Sequence, residues 1–287
     1  MSRFTVACVQ TNTGLEMEPA IAALRPMVLR AREMGADFIT TPENVTLVDR
    51  SRKRMLAKVT TEADHPAIPA FRDMARETGA WLLAGSLTIK LDDEHVANRS
   101  VLFDAQGAIV ARYDKIHMFD VDLKGGDSYR ESATVRSGGE AVIAPTPWGL
   151  LGMTVCYDLR FAALYRALAH AGASFLTVPA AFTAFTGKAH WHVLLRARAI
   201  ETGCFVIAPA QVGKHEDGRE TYGHSLVVAP WGEVLADGGE EVGVTTAVIN
   251  TARIEEARGM VPSLTHDRPF KTPRPATVDG KARAAGD

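Results

Sequence analysis

Cysteine is scarce in this 287-residue chain: Cys8, Cys156 and Cys204 are far apart and odd in number, and no CxxC pair occurs. Zinc ribbons, thioredoxin-like redox motifs and disulfide frameworks are thereby excluded as organising devices, and a reducing, cytoplasmic setting is expected. A positive surplus is also missing, since 32 Lys and Arg stand against 34 Asp and Glu for a net charge of −2. Nucleic acid, which is held through cationic contacts to phosphate, is not an expected partner. No apolar run approaches membrane-spanning length, and the stretch Phe4-Thr5-Val6-Ala7-Cys8 meets polar Gln10-Thr11-Asn12 before a signal-peptide core could form. Neither membrane insertion nor export is expected. No Ser/Pro/Gly-rich linker divides the chain, so residues 1–270 read as one domain and the Pro-, Arg- and Lys-rich 271–287 as a tail, flexible or packed on a partner subunit.

What is present is an alternation of β and α signals. Phe4 to Gln10 reads as a strand, Pro19 to Met34 as a helix stopped by Gly35, and Asp37 to Thr41 as a second strand leading into Pro42-Glu43-Asn44. A helix over Pro66 to Thr78 and a strand over Trp81 to Leu87 follow, then a hairpin of Asn98 to Phe103 with Ile109 to Lys115, and a long loop from Ile116 to Gly139. The run Leu150 to Val155 reads as a strand that reaches Cys156, turns polar at Asp158, and gives way to helical spacing at Phe161, Leu164, Tyr165 and Leu168. After a strand over Ser174 to Pro179, residues 180–187 read as a loop and Lys188 to Glu201 as a helix. Strands over Cys204 to Ala210, Ser225 to Ala229 and Gly243 to Ile249 close the pattern, with a short helix around Ile254 to Arg258. The two halves share a layout, which predicts an α/β protein with two sheets packed face to face and helices outside.

Three chemistry-bearing residues end predicted strands: Glu43, Lys115 and Cys156. A cysteine on a strand–turn–helix corner projects from the sheet edge, where backbone N–H groups stabilise negative charge. It needs a base to become a thiolate, and Glu43, its pKa lifted by burial, would serve. Lys115, with the Tyr157 N–H, would stabilise an oxyanion, and Glu131 in the long loop would orient Lys115 and the substrate. Arg160 is a candidate for a substrate carboxylate, with a structural pairing as the alternative, and Tyr129, Phe182 and Thr183 are candidate pocket walls. His190 and His192, two apart on a helix, point different ways and do not read as a metal pair.

Thr41-Pro42-Glu43-Asn44, Tyr113-Asp114-Lys115-Ile116-His117-Met118-Phe119-Asp120 and Gly152-Met153-Thr154-Val155-Cys156-Tyr157-Asp158-Leu159-Arg160-Phe161 resemble, in this order, the three signature segments of the carbon–nitrogen hydrolase (nitrilase) superfamily. The similarity runs from Val6 to about Pro269. It implies a four-layer αββα sandwich, no cofactor or metal, and a homodimer or higher assembly built largely from the helices after Cys156 and Thr186. It also implies the family's second glutamate at Glu131, within Tyr129-Arg130-Glu131-Ser132. Thr186-Gly187-Lys188-Ala189-His190-Trp191, Leu195 to Thr202, Gln211-Val212-Gly213-Lys214-His215 and Tyr222-Gly223-His224-Ser225 look closest to the deaminated glutathione amidase branch. The implied activity is hydrolysis of the terminal carboxamide of a small acid through a cysteine thioester, releasing ammonia. Deaminated glutathione is the favoured substrate. The alternatives are an ω-amidase acting on 2-oxoglutaramate, an enzyme for another aliphatic amide or N-carbamoyl compound, and a silent binding protein of the same fold. One departure stands out: Ala162-Ala163 occupies the place of the family's usual Pro-Glu, which predicts looser helix initiation.

Overall fold

Val6 and Cys8 alternate with Ala7 and Val9, and all four are fully buried, so the strand that carries them has an apolar layer on each side. The computed structural model, which describes residues 2–123 and 128–271, shows what covers both. The first half runs β1 (Arg3–Gln10), α1 (Met17–Glu33), β2 (Phe38–Thr40), α2 (Arg52–Lys58), α3 (Ala67–Thr78), β3 (Trp81–Lys90), β4 (Val96–Phe103) and β5 (Ile109–Asp114). Two short strands, β6 (Asp120–Asp122) and β7 (Ser128–Arg130), pair within the long loop. The second half runs β8 (Val142–Thr146), β9 (Gly149–Met153), α4 (Ala162–His170), β10 (Phe175–Thr177), α5 (Ala184–Thr202), β11 (Phe205–Ala208), β12 (Val212–Lys214), β13 (Glu220–Tyr222), β14 (Leu226–Val228), β15 (Val234–Asp237), β16 (Gly243–Asn250) and α6 (Ala252–Met260).

Two six-stranded sheets result, ordered β16-β1-β2-β3-β4-β5 and β15-β14-β11-β10-β9-β8. Each has three parallel strands at its centre and antiparallel strands outside them. Leu24 and Val28 of α1 with Phe71 and Met74 of α3 cover Ala7, Val9, Ile39 and Leu82 on the outer face of the first sheet. Leu168 of α4 with Trp191 and Leu195 of α5 cover the second. Between the sheets, Phe4 stacks on Trp148 at 4.2 Å and meets Phe175 edge-on at 5.4 Å, while Val6 and Cys8 join Leu151 and Met153. Burial pushes the Cys8 thiol up to about 12, against weaker opposition from hydrogen bonds, so it stays a neutral core residue. The fold is the four-layer αββα sandwich.

Several boundaries differ from those read in the sequence. β9 stops at Met153, three residues short of Cys156, because the chain leaves regular pairing: Thr154 N–H donates to Thr177 at 3.1 Å and Cys156 N–H to Pro179 at 2.9 Å. α5 starts at Ala184, not Lys188, since Thr183 caps it by accepting the Thr186 N–H at 3.4 Å. α2 carries no apolar stripe to announce it and is capped by Ser51, whose hydroxyl accepts the Arg54 N–H. α4 forms without the Pro-Glu start, held by the Leu164 N–H to Phe161 carbonyl bond and by buried Leu164, Tyr165 and Leu168. No described helix is long and apolar enough to cross a membrane. Residues 124–127 of the long loop and 272–287 of the C-terminal segment lie outside the described residues.

Candidate active site

Strand direction brings the chemistry together. Glu43 follows the C-terminal end of β2, Cys156 that of β9 and Ala181 that of β10, and the parallel strands of the two stacked sheets deliver all three to one cleft. Lys115 follows β5 and Glu131 opens the 3-10 turn after β7. A bulge in β3 shapes the Glu43 loop. Ser86 accepts the Asn44 N–H on its hydroxyl at 2.9 Å, and the Ser86 N–H donates to Pro42 at 3.2 Å. Gly85 allows the approach, since a Cβ there would stand 1.8 Å from the Thr41 carbonyl oxygen. Asn44 and Cys156 are two of only three described non-glycine residues with positive φ, at 53° and 48°. Backbone strain is thus concentrated beside the acid and at the thiol.

Asp158 ties the cysteine turn to the lysine strand. Fully buried, it accepts the Val155 N–H at 2.8 Å and the Tyr113 hydroxyl at 2.7 Å on one oxygen, and the His117 N–H at 3.1 Å with His117 Nδ1 at 2.7 Å on the other. Tyr113 and His117 flank Lys115 two residues on either side. The Lys115 ammonium, 2% exposed, donates to Glu43 Oε1 at 2.9 Å and to Glu131 Oε1 and Oε2 at 3.0 and 2.9 Å. Asn98 Nδ2 adds bonds to Glu43 Oε1 at 2.9 Å and Glu131 Oε1 at 3.3 Å, and the Ala181 N–H donates to Glu43 Oε2 at 2.8 Å. No acceptor is found for the Tyr157 N–H among the described residues.

Protonation follows from this packing. Burial pushes the Glu43 carboxyl up, but the Lys115 charge and hydrogen bonds from Cys156, Lys115 and Ala181 outweigh it and hold Glu43 below its ordinary value. This corrects the sequence-based expectation of a raised pKa, which counted the burial and not the ammonium. Burial alone would lower Lys115, yet Glu131 and Glu43 raise it well above the usual range. Burial and the Glu43 charge push the Cys156 thiol well up, with Lys115 opposing. The resting site is therefore a carboxylate facing a neutral thiol, with the ammonium clamped between two acids.

The cavity above this group has a volume of about 370 Å³ and is lined by Glu43, Lys115, Glu131, Cys156 and Tyr157, and by Tyr129, Phe182 and Thr183 on its walls. Arg160 lies outside the lining. Its guanidinium approaches His190 Nδ1 at 3.3 and 3.4 Å and covers the Tyr157 and Phe182 rings at 5.8 and 5.2 Å. Sequence reading missed Asn98, whose signal was a polar residue on an otherwise buried strand, and Arg50, Arg130 and Arg219, which line the cavity from separate loops. His190 and His192 do diverge, and His192 instead meets Asp237 at 3.1 Å, which also bonds His224 Nδ1 at 2.9 Å, away from the cavity lining.

The carbon–nitrogen hydrolase model matches residues 5–259. The chain belongs to this family. As a carbon–nitrogen hydrolase it is an amidase, and its likeness to named relatives extends over nearly the whole sequence. It is 40% identical over 285 residues to the deaminated glutathione amidase of Yersinia enterocolitica, covering 98% of this chain and 99% of that one. To the human deaminated glutathione amidase it is 37% identical over 270 residues, 92% of this chain and 82% of that one. Among solved structures, the Caenorhabditis elegans NitFhit protein superposes with a TM-score of 0.86 at 34% identity, over 93% of this chain and 66% of that one. An amidase from Nesterenkonia sp. gives 0.76 at 26% identity, over 90% of this chain and 95% of that one.

Proposed function

We propose that this amidase hydrolyses deaminated glutathione through a Cys156 thioester. The observation that carries the proposal is the buried Glu43–Lys115–Glu131 group set against Cys156 at the floor of a cavity larger than a five-carbon acid amide needs. Glu43, ionised at rest, takes the thiol proton as sulfur attacks the amide carbon. Charge developing on the carbonyl oxygen is met by the Lys115 ammonium and the Tyr157 N–H in a site that excludes water. Glu43 returns the proton to the leaving nitrogen, and the acyl group remains on Sγ. Water then enters, gives a proton to Glu43, and releases the acid, which restores the thiol. Glu131 and Asn98 hold Lys115 and Glu43 in register throughout.

The leaving group depends on the substrate. A terminal carboxamide such as that of 2-oxoglutaramate releases ammonia. In deaminated glutathione the scissile nitrogen belongs to cysteine, so cysteinylglycine leaves and not the ammonia expected of a terminal carboxamide, and both reactions deposit the same acyl group on Cys156. In the Nesterenkonia amidase the active-site cysteine adds acrylamide, which supports the same role for the thiol here.

Residues 1–270 act as one domain in this proposal, and 271–287 as a tail. A homodimer is supported by the apolar side chains Val193 and Ile200, two turns apart on α5 and 67% and 55% exposed. Three unpaired cysteines favour a cytoplasmic setting. The deciding experiment measures 2-oxoglutarate release from deaminated glutathione and from 2-oxoglutaramate by wild type and Cys156→Ala. Cys156-dependent turnover favouring deaminated glutathione is expected. A preference for 2-oxoglutaramate would move the substrate to that of an ω-amidase, and no turnover of either by a folded protein would overturn the proposal.

A further inference from the structure

The floor of the cavity is occupied by groups that handle the amide, whereas its outer wall carries arginines with no part in that chemistry. Arg130 is engaged with Asp122, at 2.8 and 2.9 Å. Arg50 donates to the Tyr129 hydroxyl at 2.6 Å. Arg219 differs from both. It stands between β12 and β13, its side chain only 18% exposed, and its Nε is buried without a hydrogen-bond partner among the described residues. Among the described residues the carboxylate oxygen nearest that nitrogen is Asp217 Oδ2, 4.0 Å away, beyond hydrogen-bond reach and itself without a hydrogen-bond partner. The other neighbour is the Tyr129 ring, 6.0 Å from the guanidinium carbon.

A guanidinium offers five donors in a planar fork, and largely removing it from water without engaging them is unfavourable. At a cavity wall, a guanidinium with its Nε unengaged matches a carboxylate, which it can bind through two parallel charge-assisted bonds. Asp217 fixes the turn, its Oδ1 accepting the Arg219 backbone N–H at 2.9 Å.

We propose that Arg219 is the specificity residue for a carboxylate on the leaving-group side of the scissile amide, which rests on the deaminated glutathione proposal above. The side follows from the reaction. The acyl fragment stays covalently on Cys156 at the closed end, whereas the leaving fragment must depart through the mouth, where Arg219 is flanked by exposed Arg50 and Arg130. In deaminated glutathione that fragment ends in the glycine carboxylate.

The test is a cycle in kcat/KM that pairs wild type and Arg219→Met with deaminated glutathione and its C-terminal carboxamide. Amidating the substrate should cost wild type about 10- to 100-fold, carried mainly by KM, as expected for a lost bidentate charge-assisted contact. Arg219→Met should show a similar loss on the acid substrate and little further loss on the carboxamide, and Arg219→Lys should recover part of it. Equal losses on both substrates in Arg219→Met, or indifference of wild type to amidation, would overturn the proposal. Turnover of deaminated glutathione by wild type checks the substrate itself, so a closed cycle on a good substrate removes only Arg219, whereas no turnover removes the substrate and with it this role.

Discussion

Replacing Asp158 by Asn tests how the catalytic turn is held. The carboxylate accepts four bonds, two on each oxygen, and an amide of the same shape retains one acceptor oxygen. If the NH2 group faces His117, Nδ1 can accept by changing tautomer but the His117 N–H cannot. If it faces Tyr113, the hydroxyl can turn but the Val155 N–H cannot. Either way one buried backbone donor is stranded, at about 1–3 kcal/mol, and the remaining bonds lose charge assistance, for a total of about 2–4 kcal/mol. Asp158→Ala strands all four donors and should cost about twice as much. Urea unfolding measures both, and kcat/KM should fall further than the folded fraction explains, since Val155 precedes Cys156 and Tyr113 and His117 flank Lys115. An Asp158→Asn protein within about 0.5 kcal/mol of wild type, or one destabilised with unaltered kcat/KM, would refute the reasoning.

Other consequences are equally open to measurement. With Glu43 depressed and Lys115 raised, kcat/KM should hold across neutral pH, declining on the acid side only below the ordinary glutamate value of about 4.3 and on the alkaline side only above that of lysine; an acid limb near 6 to 7 would contradict the assigned electrostatics. Gly85→Ala should lower kcat, because its Cβ collides with the Thr41 carbonyl and displaces the loop that carries Glu43, and an unimpaired variant would show that the loop yields freely. Burial holds His65 down at about 4 despite Glu62. The unfolded chain binds the extra proton between about 6.5 and 4, so stability should fall as pH drops through that window, by at most about 3 kcal/mol, and His65→Leu should flatten the slope of unfolding free energy against pH.

Much of the layout was legible because the strands are short apolar runs bounded by glycine and polar turns, and because Glu43, Lys115 and Cys156 each follow one closely. Arg219 was not, since nothing local distinguishes it, and Asn98 showed only as a polar residue on a buried strand: their positions matter only once the sheets stack and loops distant in sequence face each other. Arg160 follows Cys156 closely in sequence, but where a side chain leaving a 3-10 turn points is set by packing, here against Phe182 and His190. The sign of the Glu43 shift was missed because burial is legible in an apolar context, whereas the ammonium and the hydrogen bonds that together outweigh it come from other strands and loops.

The acid and the amine stand on one sheet while the thiol stands on the other, and this division bears on how the chain comes to life during synthesis. A ribosome that has released only the first half has exposed Glu43, Lys115 and Asn98 but no nucleophile. Cys156, once made, has neither the Glu43 base nor the Lys115 ammonium beside it until the second sheet closes over the first. Docking of the halves and birth of the reactive centre are then a single event. A refolding chain should recover its secondary structure before it recovers any capacity to form a thioester, and partly folded molecules should be chemically harmless to the amides around them.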